Sequence, residues 1–477
     1  MRSTLTLTAV LLSAACSDDS STGATPRGTG GSSGGAVDAG AGTGAGGVGS
    51  ERGGTENAGG ANGGGAAGSA PIPDAGTDAT GARHAKLATT GAQLVVSGPE
   101  LGLELTPADL ATDADVFAIH QEFYGLPWDA FENQTEPPAE WVAVMDRLAT
   151  SAKTAKKPVF LSITMLDGRR QSLAPRTTIE QGQVKTTENW AAACYDFAAA
   201  ADGASKKAAY GRYVTYMVDK FSPAYLNLAI EVNLFFEKCP AAAAGVIDVA
   251  NAAYDAVKQA HPGTVVFPSI QIDHLYGYAN DACPDQTNRK ACFDAAYAAI
   301  SPLRRDRFAM SSYPYMNTIG TPANLPLDWF SRGAAVGGET PLVAETGWPS
   351  TDIVARLKDG TCPTIFSFTE AESAEYLARV LSDAETTGMD LVTWWSNRDL
   401  VAAPLMTDCP CSFDATWCAV LDLFRGPPAS DGTDPQFYGE ILLKAFGTMG
   451  IRSYDGTPKA AHYAEWSDYR ARALVTR

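Results

Sequence analysis

A (β/α)8 barrel, the TIM-barrel class of α/β fold, is what this sequence predicts, on three observations. Short apolar runs alternate with amphipathic stretches of helical period across residues 90–477. The runs are almost continuously apolar, as strands covered on both faces are. Carboxylates, amides and aromatics gather at the C-terminal ends of those runs, where barrels of this class carry their chemistry. An open doubly wound sheet would share the alternation, but no glycine fingerprint opens a helix after the first strand.

Two segments precede that region. Residues 1–16, MRSTLTLTAVLLSAAC, read as an export signal: Arg2, an apolar stretch from Leu5 to Leu12, then small residues before a cysteine. The stretch is too short for a stable transmembrane helix. Ser13-Ala14-Ala15-Cys16 resembles a bacterial lipobox, with Leu12 one place earlier than that pattern has its leucine. Cys16 is thus a candidate lipidated N-terminus, and ordinary cleavage at a small-residue site is the alternative. The expected location is the cell surface or outer membrane, through that anchor alone, or otherwise the secreted fraction. Residues 17–85 are mainly Gly, Ala, Ser and Thr with scattered Asp. So few large apolar side chains cannot offset chain entropy, and a disordered linker is expected.

The strands follow in order. One is expected within QLVVSGPELGLEL (93–105), then DVFAIH (115–120), PVFLSIT (158–164), YLNLAIE (225–231), TVVFPSIQ (264–271), RFAMSSYP (307–314), PLVAETG (341–347) and DLVTWWS (390–396). Between them EWVAVMDRLATSAKTA (140–155), GVIDVANAAYDAVKQAH (245–261) and EAESAEYLARVLSDAETT (370–387) carry helical periodicity. No second Gly/Pro/Ser-rich linker breaks the region, so one domain, expected as a monomer, fits better than two.

The net charge of −18 argues against nucleic acid or anionic lipid as a partner. Nine cysteines behind an export signal suggest disulfides, with Cys283/Cys292 and the Cys409/Cys411/Cys418 group as local candidates. Cys409-Pro410-Cys411 could instead suggest a metal, but a thiolate zinc site usually offers two spaced cysteine pairs or a Cys/His set.

The strand ends supply the candidate site. Glu231 and Glu345 each end an apolar run, and paired strand-end acids suit acid/base work on a glycosidic bond. Around them stand His120, Trp128, Asn233, Gln271, Asp273, Tyr313, Tyr315, Trp348, Trp394, Trp395 and Arg398. Amides and carboxylates match sugar hydroxyls, and aromatic faces match apolar sugar rings. Four of them have a plainer reading: a structural histidine for His120, rim packing for Trp128, core packing for Gln271 and Asp273. Asp167, in MLDGRR, reads as a turn acid with Arg169 and Arg170 as salt-bridge partners.

AETGWPS (344–350) resembles the nucleophile strand of clan A glycoside hydrolases, notably plant-type β-1,3-glucanases. MSSYPYM (310–316), VTWWSNRDL (392–400) and DGTPKAAHYAEW (455–466) resemble strand six, strand eight and the closing segment of the arabinogalactan endo-β-1,4-galactanase group, family 53. The resemblance implies Glu345 as nucleophile, Glu231 as acid/base, Tyr313 as orienter of the nucleophile, and Trp394 or Trp395 as the floor of the sugar subsite. The clan usually has Asn directly before its acid/base; here that position is Ile230, with Asn233 two residues beyond Glu231. Strand alternation would put 231 and 233 on one side, letting Asn233 substitute in part. The leading expectation is a retaining β-glycosidase acting within a galactan, arabinogalactan or β-glucan chain. The alternative is a carbohydrate-binding surface lipoprotein with a degenerate site. No cofactor is called for: there are five histidines and no HExxH helix.

Overall fold

The computed structural model describes residues 81–475, without 98–99, 279–282, 284, 286, 318, 358–359, 403, 413–417 and 419–434. The export signal, Cys16 and the linker as far as residue 80 lie outside the described residues. Eight parallel strands close a barrel: β1 Lys86–Thr90, β2 Val116–His120, β3 Val159–Ser162, β4 Tyr225–Asn227, β5 in two pieces (Val265–Phe267 and Ser269–Gln271), β6 Phe308–Ser312, β7 Pro341–Thr346 and β8 Leu391–Trp394. Each pairs with the next, and β8 pairs with β1. The first piece of β5 pairs with β4 and the second with β6. Pro268 lies between them and has no N–H to give to either ladder.

Helices lie between consecutive strands: α1 Pro107–Asp113, α2 Ala139–Ala155, α3 Gly203–Phe221, α4 Ala243–Ala260, α5 Arg289–Ile300, α6 Arg332–Gly337 and α7 Glu370–Thr387, with α8 Pro435–Gly447 and α9 Ala460–Ala471 after β8. The sequence explains their ends. On α2, Trp141, Val144, Met145, Leu148, Ala149, Ala152 and Ala155 recur at helical spacing and are buried. A capping box between Thr369 and Glu372 starts α7, and Gly388 at φ +70° stops it. Two apolar layers result. Ala88, Val116, Ala118, Phe160, Tyr225, Phe267, Ala309, Leu342, Ala344 and Leu391 form one buried cluster. A larger one joins the opposite strand faces, such as Phe117, Leu161 and Val343, to the helices.

One expected strand moves. The first barrel strand is Lys86–Thr90, and residues 93–105 fold instead as an antiparallel hairpin, Ala92–Ser97 against Glu100–Leu105. The two-residue Gly98-Pro99 link dictates this, because a link that short joins only antiparallel strands. YLNLAIE is also strand only over Tyr225–Asn227.

Four disulfides are formed: Cys194–Cys239, Cys283–Cys292, Cys362–Cys409 and Cys411–Cys418. Such bridges are typical of proteins that fold outside the reducing cytosol. Cys409 and Cys411 both sit in disulfides and offer no thiolate to a metal. Among the described residues, no helix is long and apolar enough to cross a membrane.

Candidate active site

Glu345 faces the site because of a break in the strand. Leu342 and Ala344 belong to one apolar cluster and Val343 to the other, so strict alternation would send Glu345 with Val343 toward the helices. The β6–β7 register shifts between Met310 and Ser311, leaving Glu345 opposite Ser311. A bulge of this kind re-aims a side chain. Glu345 Oε1 accepts the Tyr313 hydroxyl, and Oε2 lies 3.9 Å from His120 Nδ1. Thr346 turns away and bonds the Ser312 carbonyl and the Tyr376 hydroxyl on α7.

Glu231 is delivered differently. The chain leaves β4 at Asn227 and turns, with Glu231 at φ +49°, before a short helix at Asn233–Lys238. A left-handed non-glycine residue costs of order 1–3 kcal/mol and persists only where its surroundings over-determine it. Here Ser269 Oγ accepts the Glu231 N–H at 2.9 Å, and Ser269 N–H donates to the Ala229 carbonyl. Ser311 Oγ donates to Glu231 Oε1 at 2.7 Å, and Arg170 Nη2 lies 3.6 Å from Oε2. Ser311 and Tyr313, at the end of β6, thus each hold one of the two acids.

Arg170 closes the site on the β3 side. It is 1% exposed, at φ +52°, with Nη1 donating to Glu122 Oε2 (3.1 Å) and to the Asp167 carbonyl (2.9 Å). Asp167 is the acid of that turn, accepting the N–H groups of Gln171 and Ser172.

The electrostatics follow from burial. Desolvation raises both glutamates; Arg170 and then Ser311 pull Glu231 back toward its anion. Glu345 is pushed up to about 8, by burial first and by the Glu231 charge second, against the lowering effect of Tyr313. Two negative charges in one buried site are unfavourable, so the Glu231 charge opposes ionisation of Glu345. His120 is held neutral, its pKa lowered to about 3 by burial and by Arg170. Among the described residues, both its ring nitrogens lack hydrogen-bond partners, as do Arg170 Nε and Glu231 Oε2.

The other expected residues divide into two groups. Tyr313 packs edge-on to Tyr315 and Phe446, and Trp395 edge-on to His120 at 5.2 Å, so these rings pack against the two side chains that face Glu345. Trp394 points the other way, donating Nε1 to the Met449 carbonyl and meeting His462. Trp348 is 0% exposed among Tyr315, Phe368 and Tyr376, so its indole has no open face for a sugar. Gly347 beside it serves backbone packing: a Cβ there would meet the Trp395 carbonyl at 2.9 Å. Trp128 is buried beside Trp190 and bonds the Ala174 carbonyl. Arg398 pairs with Asp109.

Asn233 is occupied too. Its amide donates to the Gln271 carbonyl at 3.0 Å and accepts the Gln271 N–H at 2.8 Å. The expected alternation from 231 to 233 fails because neither residue is in a strand. Gln271 Oε1 accepts the His274 N–H. Asp273, raised to about 6 by burial, accepts the Tyr313 N–H and an Asn317 amide hydrogen, tying the loops after β5 and β6 together. Sequence reasoning missed Glu122, Ser269 and Phe446, which carry no motif, passed over Ser311 inside MSSYPYM, and gave Arg170 to Asp167.

No protein-family model matches the chain, and no curated protein matches it in sequence. In fold it is similar to an exo-β-1,4-mannosidase from Opitutaceae bacterium strain TAV5, at 13% identity and a TM-score of 0.49, over 83% of this chain and 62% of that one. The chain therefore spans less than two thirds of that enzyme's length. It is also similar to a fungal β-1,4-galactanase (12% identity, TM-score 0.42, 77% of this chain and 92% of that one). A β-glucosidase is similar at 12% identity and a TM-score of 0.44, over 77% of this chain and 87% of that one.

Proposed function

We propose that this protein is a retaining β-glycosidase with Glu345 as nucleophile and Glu231 as acid/base. The observation that carries the reading is the buried pair of carboxyls at one end of the barrel. Each is held by a hydroxyl from the end of β6, and the charge on Glu231 raises the pKa of Glu345. Glu345 would attack the anomeric carbon while Glu231 protonates the leaving oxygen; water, deprotonated by Glu231, would then release the sugar from Glu345. Before a sugar binds, Arg170 favours the anion at Glu231. Positive charge developing at the anomeric carbon beside Glu345 favours the opposite placement, with the proton on Glu231 where the leaving oxygen needs it. The polymer class (galactan, arabinogalactan or β-glucan, cut within the chain) rests on the resemblance of the strand-six to strand-eight segments. An N-terminal lipid on Cys16, holding the enzyme at the outer membrane or cell surface, belongs to the same proposal.

The test is to incubate the purified protein with galactan, arabinogalactan, laminarin and mannan, and to trap the intermediate with fluorinated glycosyl donors. New reducing ends and a covalent sugar on the peptide containing Glu345 are expected. Oligosaccharide binding without cleavage or labelling would replace the enzyme with a binding protein.

A further inference from the structure

Arg170 and Glu231 are both 1% exposed and both in the left-handed backbone region. Arg170 Nη2 stands 3.6 Å from Glu231 Oε2, beyond a direct hydrogen bond. Among the described residues, Glu231 Oε2 and Arg170 Nε have no hydrogen-bond partners. The guanidinium is meanwhile anchored on its other side by Glu122 and the Asp167 carbonyl. It acts on Glu231 as a charge held at a fixed distance, while its hydrogen-bonded ion pair is with Glu122. The titratable and charged groups facing these two are Glu122 and Asp167 on the β2 and β3 loops, His120 on β2, Glu345 on β7 and His274 after β5, with Lys238 following the Glu231 turn.

We propose that Arg170 is a positioning residue for the second half of the reaction, keeping Glu231 ionised so that it can act as base once Glu345 is esterified. This rests on the retaining-glycosidase reading. The first step needs a protonated Glu231, which Arg170 opposes. The second needs the anion, which Arg170 favours, and by then the opposing charge on Glu345 is gone. Glu122 has the contrary influence: its negative charge works against the Glu231 anion. No residue directly before Glu231 helps, since Ile230 is apolar and buried. The positive charge therefore comes from the neighbouring loop.

The experiment uses dinitrophenyl β-galactoside or β-glucoside, whichever the wild-type enzyme turns over. The leaving group needs no proton, so breakdown of the glycosyl-enzyme limits the rate. Without Arg170 the pKa of Glu231 rises, so in Arg170→Met the acid limb of kcat should move to higher pH by about 1–3 units. Below that limb a burst of dinitrophenol should precede slow turnover, with glycosyl-enzyme accumulating in the mass spectrum. Arg170→Lys should bring the limb back toward wild type. Glu122→Gln should move it the other way, to lower pH, and serves alone if Arg170→Met does not fold. A limb that stays at the wild-type pH in Arg170→Met, or in Glu122→Gln where only that variant folds, overturns the inference while leaving the glycosidase intact. A wild-type enzyme that turns over neither substrate and takes no covalent label overturns the glycosidase reading and this inference with it.

Discussion

The hydroxyl of Tyr313 does two things to Glu345, and one substitution separates them. It fixes the carboxylate's direction and stabilises its anion against burial. Tyr313→Phe keeps the ring contacts with Tyr315 and Phe446 and removes only the donor. A hydrogen bond to a charged group is worth about 1.5–3 kcal/mol, so kcat/KM should fall about 10–150-fold. As the proposed nucleophile Glu345 would have to be ionised to attack, and without the hydroxyl its pKa rises. The acid limb of kcat/KM should therefore shift to higher pH, and the loss should shrink as pH increases. A uniform loss at every pH would mean that orientation alone is at stake, and an unchanged rate would remove Tyr313 from the site. At the neighbouring acid, Glu231→Ala should cost roughly 10²–10⁴-fold on polysaccharide and far less in the first step on activated aryl glycosides, read by comparing the two substrates.

At the scale of elements, the site depends on how strands end, and that is where the sequence was least legible. Apolar runs announced seven of the eight barrel strands, because a buried parallel strand must be apolar on both faces. The first was misplaced: KLATT is short and mixed, while the hairpin at 93–105 has the stronger β composition. Strand-end chemistry marked Glu231 and Glu345, but alternation could not say which way they point. A bulge and a left-handed turn aim them, and both are set by neighbours distant in sequence, Ser311 and Ser269. The same holds for Arg170, whose loop is placed by contacts outside MLDGRR. Cys194 N–H bonds the Gln171 carbonyl, Cys194 is bridged to Cys239, and Lys238 donates to the Arg169 carbonyl. That disulfide spans 45 residues and ties the Arg170 loop to the helix that follows Glu231. Replacing Cys194 and Cys239 by Ser should cost about 2–5 kcal/mol in unfolding free energy. It should also loosen Arg170 from Glu231, moving the kcat acid limb upward as Arg170→Met does. Calorimetry and the pH profile read the two effects separately. A large stability loss with an unmoved profile would show that the bridge holds the fold but not the charge pair.

At the scale of the whole barrel, one buried acid gathers the contacts beside the seam that the β8–β1 ladder closes. Asp113, at the end of α1, accepts both nitrogens of an Arg452 fork (2.7 and 2.8 Å), the Tyr463 hydroxyl and the Asn397 amide, each at 2.8 Å. Its carbonyl takes the Trp466 indole N–H from α9. Asn397 in turn donates its N–H to the Thr90 carbonyl at the end of β1, so this cluster joins the first and last strands. Beneath it, Ala82–Arg83 pairs with Ala473–Leu474. Burial alone would raise the Asp113 pKa, but Arg452, Asn397 and Tyr463 outweigh it and hold the carboxyl below its ordinary value. Removing one partner of a buried charge pair typically costs about 3–5 kcal/mol, so Asp113→Ala should unfold at markedly lower temperature. The pH dependence isolates the charge. A carboxyl with a depressed folded pKa contributes stability above its unfolded pKa of about 4, and that stability disappears as pH falls through the folded value. Asp113→Asn keeps the shape and loses the charge. The gap in melting temperature between wild type and Asp113→Asn should therefore be widest near neutrality and close as the pH drops below about 4. A gap that stays constant through that range would mean that the seam is held by the shape and hydrogen bonds of this side chain, with its charge contributing nothing.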